Sequence, residues 1–237
     1  MKRIIKWTVI SIASLFLLLI VGLTIYASNA YKPLDEMYEA IEQLDTSSIT
    51  VKETFDSYQL TVNHPKGQIV IIPGGLVYTE SYLFLAYNLS LKGYNVTVAK
   101  ALFHLSILTP NYTKKFLSNT LPNIIIGHSL GGTVAGMIAH DNTKVDHLIL
   151  LASYTTTQIK HASVLLITAE NDLVLNKSAY DNSLSNYETY TEIKIEGGNH
   201  AGFGWYGNQK GDGIGTITTK NQQQQVIDLI TEYLEWI

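Results

Sequence analysis

The sequence predicts an α/β fold, in which a mostly parallel central sheet is flanked by helices and preceded by one apolar N-terminal helix. Two observations indicate the sheet. Short runs rich in Val and Ile, such as 68–72 and 124–126, are typical of strands buried on both faces, and segments with helical spacing lie between them. Alternating strands and helices form parallel sheets, whose ligands bind beyond the carboxyl ends of the strands. A third observation, an uncharged run near the N-terminus, indicates the additional helix.

Length and composition limit the possible functions. A chain of 237 residues fits one domain of about 200 residues with an appendage. The formal charge of −4, with no basic run beyond the first residues, argues against a nucleic-acid partner. The absence of cysteine excludes disulfides, thiolate catalysis and cysteine-bound metals. No close histidine pairing such as H-x-x-x-H occurs, so we expect neither a metal nor another cofactor.

The N-terminal residues predict a membrane anchor. A basic cytoplasmic flank, residues 1–6, precedes residues 7–27, which carry no charge and are long enough to span a bilayer as a helix. Trp7 and Tyr26 suit the two membrane–water interfaces, and the positive flank should remain in the cytoplasm. We therefore expect a single-pass protein of the cell membrane whose folded domain is extracytoplasmic.

A cleaved signal peptide is the alternative to an anchor. Ser28, Asn29 and Ala30 offer small residues at a cleavage position. The apolar run, however, exceeds the 7–15 residues that are usual in such signals, and its length favours an uncleaved helix. Cleavage would give a secreted protein, so both interpretations put the domain beyond the membrane.

Residues 28–48 are interpreted as a stalk and residues 49–237 as the folded domain. Pro33 suits the first turn of a helix in the stalk. The pattern leaves open whether this helix packs on the domain or lies at the membrane surface. Its apolar residues recur at helical spacing, namely Leu34, Met37, Ile41 and Leu44.

Local patterns predict the elements of the domain in order. Loose alternation over 49–63 indicates one or two outer strands, and a helix is expected from about Glu80 to Lys92, ended by Gly93. The last helix should open with the capping-box spacing of Thr219 and Gln222. Further strands are expected at 68–72, 95–100, 124–126, 145–152, 164–168 and 190–195, a loop with a short helix at 101–120, and an apolar side of the last helix at Val226, Ile227, Ile230, Leu234 and Ile237.

Ser129 is the predicted nucleophile. Gly127 and Gly131 stand two residues before and after it, which gives the pattern G-x-S-x-G of a nucleophile elbow. The pattern lies between the strand at 124–126 and a helix predicted from Leu130 onward, where a tight bend would hold the serine hydroxyl clear of the sheet. A strand-to-helix turn without chemistry would show the same pattern, and the residues described next favour catalysis.

The acid of a catalytic triad is expected at Asp172. A serine hydroxyl needs a base that a third group orients, and in elbow folds the chain order is Ser, then Asp or Glu, then His. Asp172 follows the strand at 164–168, and its alternative role is a helix N-cap. Glu170 is a rival closer to the strand end, and Asp181 is a rival within the helix that follows.

The base is expected at His200. This residue follows the last predicted strand and lies in the glycine-rich loop 197–204, from which its ring can reach the serine; a histidine on a surface loop is the alternative. His128 competes by proximity to Ser129. Its position within the elbow should, however, direct its ring sideways into packing rather than toward the serine hydroxyl.

Two backbone N–H groups are expected to form an oxyanion hole. One belongs to Leu130, the residue after the nucleophile. The other should come from the loop after the strand at 68–72, at Gly75 or Leu76. Glycine in this loop lets the backbone approach a substrate closely.

These motifs resemble those of the α/β-hydrolase superfamily. From Gln68 to the C-terminus the chain is similar to the compact, dienelactone-hydrolase-like members. The resemblance implies an α/β-hydrolase fold with Ser129 as nucleophile, Asp172 as acid and His200 as base. Dienelactone hydrolases proper use a cysteine nucleophile, which this chain lacks, so their substrate is not implied. The matching segments are 71–75, 127–132, 170–172 and 197–200.

The expected activity is hydrolysis of an ester or related acyl bond, with a small acyl substrate and water as the reactants and an acyl-enzyme as the intermediate. Residues 153–162 are too few for a lid, so we expect an open site, which disfavours interfacial lipase behaviour. The aromatic segment 203–207 fits either a pocket wall or packing against the last helix. A non-catalytic binding or scaffold protein and an acyltransferase with the same triad are the alternatives.

Overall fold

The computed structural model describes residues 2–235, which fall into two compact units that divide between Ala30 and Tyr31. The first unit is one helix, α1 (Lys2–Ala27), of 26 residues. Among the described residues, α1 is the helix that is long and apolar enough to cross a membrane, with a mean hydropathy of 2.6 over its most apolar window. A signal sequence near an N-terminus has the same property.

The second unit contains a mostly parallel sheet of eight strands. Their order across the sheet is β1-β2-β4-β3-β5-β6-β7-β8, and all neighbours are parallel except the pairs that include β1 or β2. The strands are β1 (Thr50–Glu53), β2 (Ser57–Thr61), β3 (Gln68–Ile72), β4 (Asn95–Ala99), β5 (Asn123–His128), β6 (Val145–Leu151), β7 (Ser163–Ala169) and β8 (Tyr190–Ile195).

Helices connect the strands and cover the sheet. The α-helices of the second unit are α2 (Asp35–Glu42), α3 (Leu83–Leu91), α4 (Leu130–Asp141), α5 (Lys177–Ser183) and α6 (Thr219–Glu235). Short 3₁₀ turns add to them at Thr79–Tyr82, Leu102–His104, Ser106–Leu108, Pro110–Phe116, Leu184–Asn186 and Ala201–Phe203.

Both faces of the sheet are buried, as the alternation of side chains along β5 shows. Ile124 and Ile126 belong to one apolar cluster, with residues of α3 and α6, whereas Ile125 belongs to a second cluster with residues of α4. Successive side chains of a strand point to opposite faces, so an uninterrupted apolar run requires cover on both. This requirement explains why the runs at 68–72 and 124–126 could be recognised as central strands.

The predicted fold class is confirmed, and the differences are local. The outer segment 49–63 forms the antiparallel pair β1 and β2, and the helix expected over 80–92 begins as a 3₁₀ turn before continuing as α3. Residues 101–120 contain three 3₁₀ turns instead of one short helix. The prediction that Ile237 lies on the apolar side of the last helix falls outside the described residues.

The segment 28–48, interpreted from the sequence as a stalk, is not a separate element from Tyr31 onward. Tyr31 pairs with Val77 beside the sheet, and its N–H donates to the carbonyl of Leu76 at 2.8 Å. In α2, Met37 is fully buried in the same apolar cluster as α3, because this face of the helix is apolar. The apolar side of α2 therefore packs on the domain, and the folded unit begins at Tyr31 rather than at residue 49.

The bend between β5 and α4 packs directly against the end of β3. A Cβ atom on Gly131 would lie 2.2 Å from the carbonyl oxygen of Ile72 and 2.4 Å from that of Pro73. A Cβ on Gly127 would lie 2.4 Å from Cα of Gly132. Backbone meets backbone at this point, so only glycine fits, and the two glycines of the G-x-S-x-G pattern are explained by packing.

We predict that Gly131→Ala destabilises the fold, because neither backbone carbonyl can move aside without disturbing β3. The free energy of unfolding should fall by at least about 2 kcal/mol, the range of overpacked cores. Urea denaturation of the detergent-solubilised chain measures the change. Gly215→Ala is the matched control, since a Cβ there meets its nearest atoms at 3.4 Å, an ordinary contact. Equal stability of the two variants would contradict the packing argument.

Candidate active site

Ser129 sits at the tip of the bend between β5 and α4, with φ 52° and ψ −124°. A non-glycine residue with positive φ is strained, and such strain is commonly retained at functional sites. Besides the N–H groups of α4, the end of β6 and the loop after it hold this backbone: the N–H of Ser129 donates to the carbonyl of Leu151 at 3.0 Å, and its own carbonyl accepts from Ser153 Oγ at 2.6 Å. The end of β6 and the loop after it therefore fix the position of the serine.

Asp172 and His200 form a buried pair. Asp172 Oδ2 lies 2.8 Å from His200 Nδ1, and each side chain is only 2 % exposed. The other carboxylate oxygen, Oδ1, accepts the backbone N–H groups of Val174 and Leu175, both at 2.8 Å. With an acceptor carboxylate on Nδ1, the ring proton is assigned to that nitrogen, which leaves the lone pair on Nε2. This is the tautomer that a general base needs.

Ser129 and His200 line the same cavity, which has a volume of about 230 Å³. Among residues 2–235, His200 Nε2 is buried without a hydrogen-bond partner, so its lone pair is free. The Nε2 atom therefore makes no hydrogen bond to the Ser129 hydroxyl. Such bonds between catalytic groups are often long before substrate binds. The other lining residues are Leu130, Thr133, Ala152, Ser153, Tyr154, Val174, Leu175 and Asn176.

The candidate oxyanion donors differ in their availability. Leu130 is the first residue of α4, where backbone N–H groups have no partner within the helix. Gly75 lies beside it, since a Cβ on Gly75 would come within 2.9 Å of Leu130 Cδ2. The N–H of Leu76, by contrast, donates to the carbonyl of His104 at 2.9 Å. The expectation for Leu76 is therefore corrected, because this donor is already engaged, and Gly75 remains.

His128 is buried behind the site and does not line the cavity. Its Nδ1 lies 2.7 Å from the hydroxyl of Tyr82, which also accepts the N–H of Gly74 at 2.9 Å. The ring centroids of His128 and His200 are 4.7 Å apart. Burial, and next the charge of His200, hold the pKa of His128 well below 6.5. His128 is therefore neutral at neutral pH.

The rival acids lie elsewhere. Glu170 turns to the loop 197–204, where its Oε2 accepts the N–H of Gly197 at 2.8 Å, and Asp181 is exposed on α5. Of the three carboxylates that the sequence offered, Asp172 is the one that contacts His200. Among the described residues, no group of three or more His, Asp or Glu side chains is arranged to hold a metal ion.

The base loop, residues 197–204, is held by side chains that the sequence analysis did not identify. Gln222 donates to the carbonyl of Asn199 at 2.8 Å and accepts its N–H at 3.0 Å, and Gln223 donates to the carbonyl of Gly202 at 2.7 Å. The capping-box interpretation of Gln222 is therefore wrong. Thr218 Oγ1 accepts the N–H of Asn221 instead, and Gln222 is directed into the loop.

Two segments were considered from the sequence for their effect on the site, namely the connection between β6 and β7 and the aromatic segment 203–207. The connection between β6 and β7, residues 152–162, contains no helix, as expected for a site without a lid. Phe203, Trp205 and Tyr206 are buried in the apolar cluster that includes α3 and α6, and Trp205 packs edge-on against Phe84 at 4.9 Å. The sequence left two roles open for residues 203–207, a pocket wall or packing against the last helix, and the structure shows packing.

Comparison of the sequence with protein families gives one match. The model of the Alpha/beta hydrolase family matches residues 68–224, about two thirds of the chain. This range includes every candidate catalytic residue described above. No curated protein shows significant sequence similarity to the chain.

Solved structures share the fold at low sequence identity. A dienelactone hydrolase from Anabaena variabilis has a TM-score of 0.59 and 12 % identity, covering 79 % of this chain and 98 % of that one. A predicted CIB-like hydrolase from Thermoplasma acidophilum has a TM-score of 0.56 and 17 % identity, covering 78 % and 99 %. Carboxyl esterase 2 from Tuber melanosporum has a TM-score of 0.56 and 12 % identity, covering 85 % and 89 %.

The buried, neutral His128 generates a prediction about pH. Below pH 6.5 the unfolded chain binds a proton at this residue that the folded chain does not, so stability rises with pH and is lost as the pH falls. The free energy of unfolding should therefore decrease from pH 7.5 to 5.5. In His128→Gln this slope should be shallower by up to about 1.4 kcal/mol per pH unit.

Urea denaturation at several pH values measures both slopes. His140→Gln, which removes an exposed ring instead of a buried one, is the matched control. Identical slopes for the parent and His128→Gln would contradict the buried neutral state.

Proposed function

The chain belongs to the alpha/beta hydrolase family, and from this premise we propose that it is a serine hydrolase that cleaves an ester or related acyl bond. One observation carries the proposal: His200 is hydrogen-bonded to Asp172 at 2.8 Å and shares a cavity with Ser129, whose backbone is strained. The chain order Ser, Asp, His and the hydrogen bond between the acid and the base are features of a Ser-His-Asp triad, and they support the proposal.

In the proposed reaction, His200 Nε2 takes the proton of the Ser129 hydroxyl while the oxygen attacks the acyl carbon. Asp172 holds the ring and stabilises the imidazolium that forms. The same proton is then given to the leaving alcohol, which departs as the acyl-enzyme forms. Water, activated by the returned base, releases the acid and restores Ser129.

Charge develops on the acyl oxygen during both steps, and two backbone N–H groups are proposed to stabilise it. These belong to Leu130, at the start of α4, and to Gly75, in the loop after β3 that packs beside it. Donors fixed by the backbone are already oriented before reaction, so they need no rearrangement as the charge appears. Loss of one such donor typically lowers turnover by about a hundred- to a thousandfold.

A small acyl substrate is supported by the size of the cavity. Its volume of about 230 Å³ is below the roughly 300–1,000 Å³ of sites for drug-sized ligands. Val174 and Leu175 give it an apolar wall, and Thr133 and Asn176 contribute polar groups. The name of one structural relative, carboxyl esterase 2, supports an ester.

We further propose that α1 is a membrane anchor and that the domain is extracytoplasmic. A helix of 26 residues is about 39 Å long, which exceeds the roughly 30 Å of a hydrocarbon core. Its three cationic residues, Lys2, Arg3 and Lys6, precede the apolar run, and such charges favour the cytoplasmic side.

The proposed activity predicts hydrolysis of p-nitrophenyl esters by the purified full-length chain, with short acyl chains preferred over long ones. Ser129→Ala should lower turnover on the order of a millionfold, and Asp172→Asn by about ten thousandfold through loss of the required tautomer. A fluorophosphonate probe should label the parent chain and not Ser129→Ala. The measurements are initial rates across the ester series and in-gel detection of the probe.

Asp181→Asn is the matched control for the acid, because that carboxylate is exposed on α5 and should leave turnover unchanged. A folded parent chain that the probe does not label would reject the serine hydrolase and favour a binding or scaffold protein. Exclusive acyl transfer to an added alcohol, with no free acid, would favour an acyltransferase.

The proposed anchor predicts that the full chain remains in the membrane fraction after an alkaline carbonate wash and keeps its complete mass. A protease added to cells that have lost their outer layers but keep a closed cell membrane should digest the domain. Leu17→Arg, which puts a charge near the centre of α1, should weaken retention, since it costs about 3 kcal/mol in a spanning helix. Recovery of a released chain shortened by the apolar segment would show signal cleavage instead.

A further inference from the structure

A carboxylate outside the cavity joins the loop of the base to the loop of the acid. Asp212 lies in the irregular segment between Gly207 and α6. Its Oδ2 accepts the N–H of Ala201 at 2.9 Å, and its Oδ1 accepts the N–H of His200 at 3.3 Å and approaches the N–H of Leu173 at 3.4 Å. Leu173 directly follows Asp172.

These contacts add to a single backbone hydrogen bond that joins the two loops, from the N–H of Asn171 to the carbonyl of Gly198 at 2.8 Å. Residues 197–204 follow β8 and residues 170–176 follow β7, and the N–H groups nearest the pair, at His200, Ala201 and Leu173, have the Asp212 carboxylate as their acceptor. A charged acceptor makes hydrogen bonds that are roughly twice as strong as neutral ones. Asp212 therefore fixes the backbones that carry both members of the 2.8 Å Asp172–His200 hydrogen bond.

Asp212 is itself held in position. The N–H of the next residue, Gly213, donates to Asp212 Oδ1 at 2.8 Å. The carbonyl of Gly213 in turn accepts from Asn199 Nδ2 at 2.8 Å. A Cβ on Gly213 would lie 2.0 Å from the carbonyl oxygen of Asn171, so the segment is pressed against the acid loop as well. The segment thus contacts residues on both sides of the pair, and Asp212 does not line the cavity.

We propose that Asp212 is a positioning residue, which sets the distance and the angle between the Asp172 carboxylate and the His200 ring without touching substrate. This role rests on the proposed serine hydrolase activity. Displacement of catalytic groups by about 1 Å is enough to lower turnover roughly a hundredfold. A carboxylate that anchors the loops on which both groups lie controls displacements of this size.

The test compares Asp212→Ala, Asp212→Asn and the parent full-length chain. Asp212→Ala should lower kcat and the rate of fluorophosphonate labelling by about a hundredfold, with KM changed less than about threefold, because binding groups in the cavity are untouched. Asp212→Asn retains one acceptor oxygen and should recover part of the loss. The low-field proton resonance of the Asp172–His200 hydrogen bond should shift or broaden in both variants, which general destabilisation of a folded chain would not cause.

Asp228→Asn is the matched control, since that carboxylate contacts only Gln224 on the surface of α6 among the described residues and its loss should change neither rate nor resonance. A folded Asp212→Ala with parental kcat and an unchanged resonance would overturn the proposal. Should Asp212→Ala not fold, Asp212→Asn decides by the same readouts. If the parent chain shows no activity or labelling, the proposed function fails, and the resonance still tests the positioning of His200 by itself.

Discussion

The close approach between the bend at Ser129 and the end of β3 is the constraint on which the site depends. Gly131 lies against the carbonyl groups of Ile72 and Pro73, so the loop after β3 and the start of α4 are packed directly against each other. The two candidate oxyanion donors are brought together by this contact. The atoms that meet at Gly131 are backbone atoms, and the strain at Ser129 is held by the parallel strands on both sides.

Electrostatic conditions around the base follow from burial. Asp172 and His200 are shielded from water, and a buried carboxylate needs its hydrogen-bond acceptor capacity filled. Val174, Leu175 and the His200 ring do this. The second histidine, His128, is neutral next to His200, so in the proposed reaction an imidazolium at His200 would meet no second positive ring. Tyr82 bonds to His128 and to the backbone of Gly74 together, which holds the His128 ring in place.

The fold and the chemistry-bearing residues could be predicted because each has a local signal. Runs of apolar residues indicated central strands, and Ser129, Asp172 and His200 each follow a strand end. The supports of the site had no such signal. Gln222 matches a capping box in sequence, yet it reaches across to Asn199, and the N–H of Leu76 is taken by His104 through a contact between distant loops. Tertiary contacts of this kind depend on how loops pack, which no short pattern encodes.

The hydrogen bonds from Gln222 and Gln223 to the loop of His200 tie the chain's final helix to its chemistry. No residue of α6 lines the cavity, so the helix contributes through the loop alone. In the proposed reaction, a base loop without these hydrogen bonds would leave His200 less firmly held against Asp172, and acyl transfer would therefore depend on a helix that never meets the substrate.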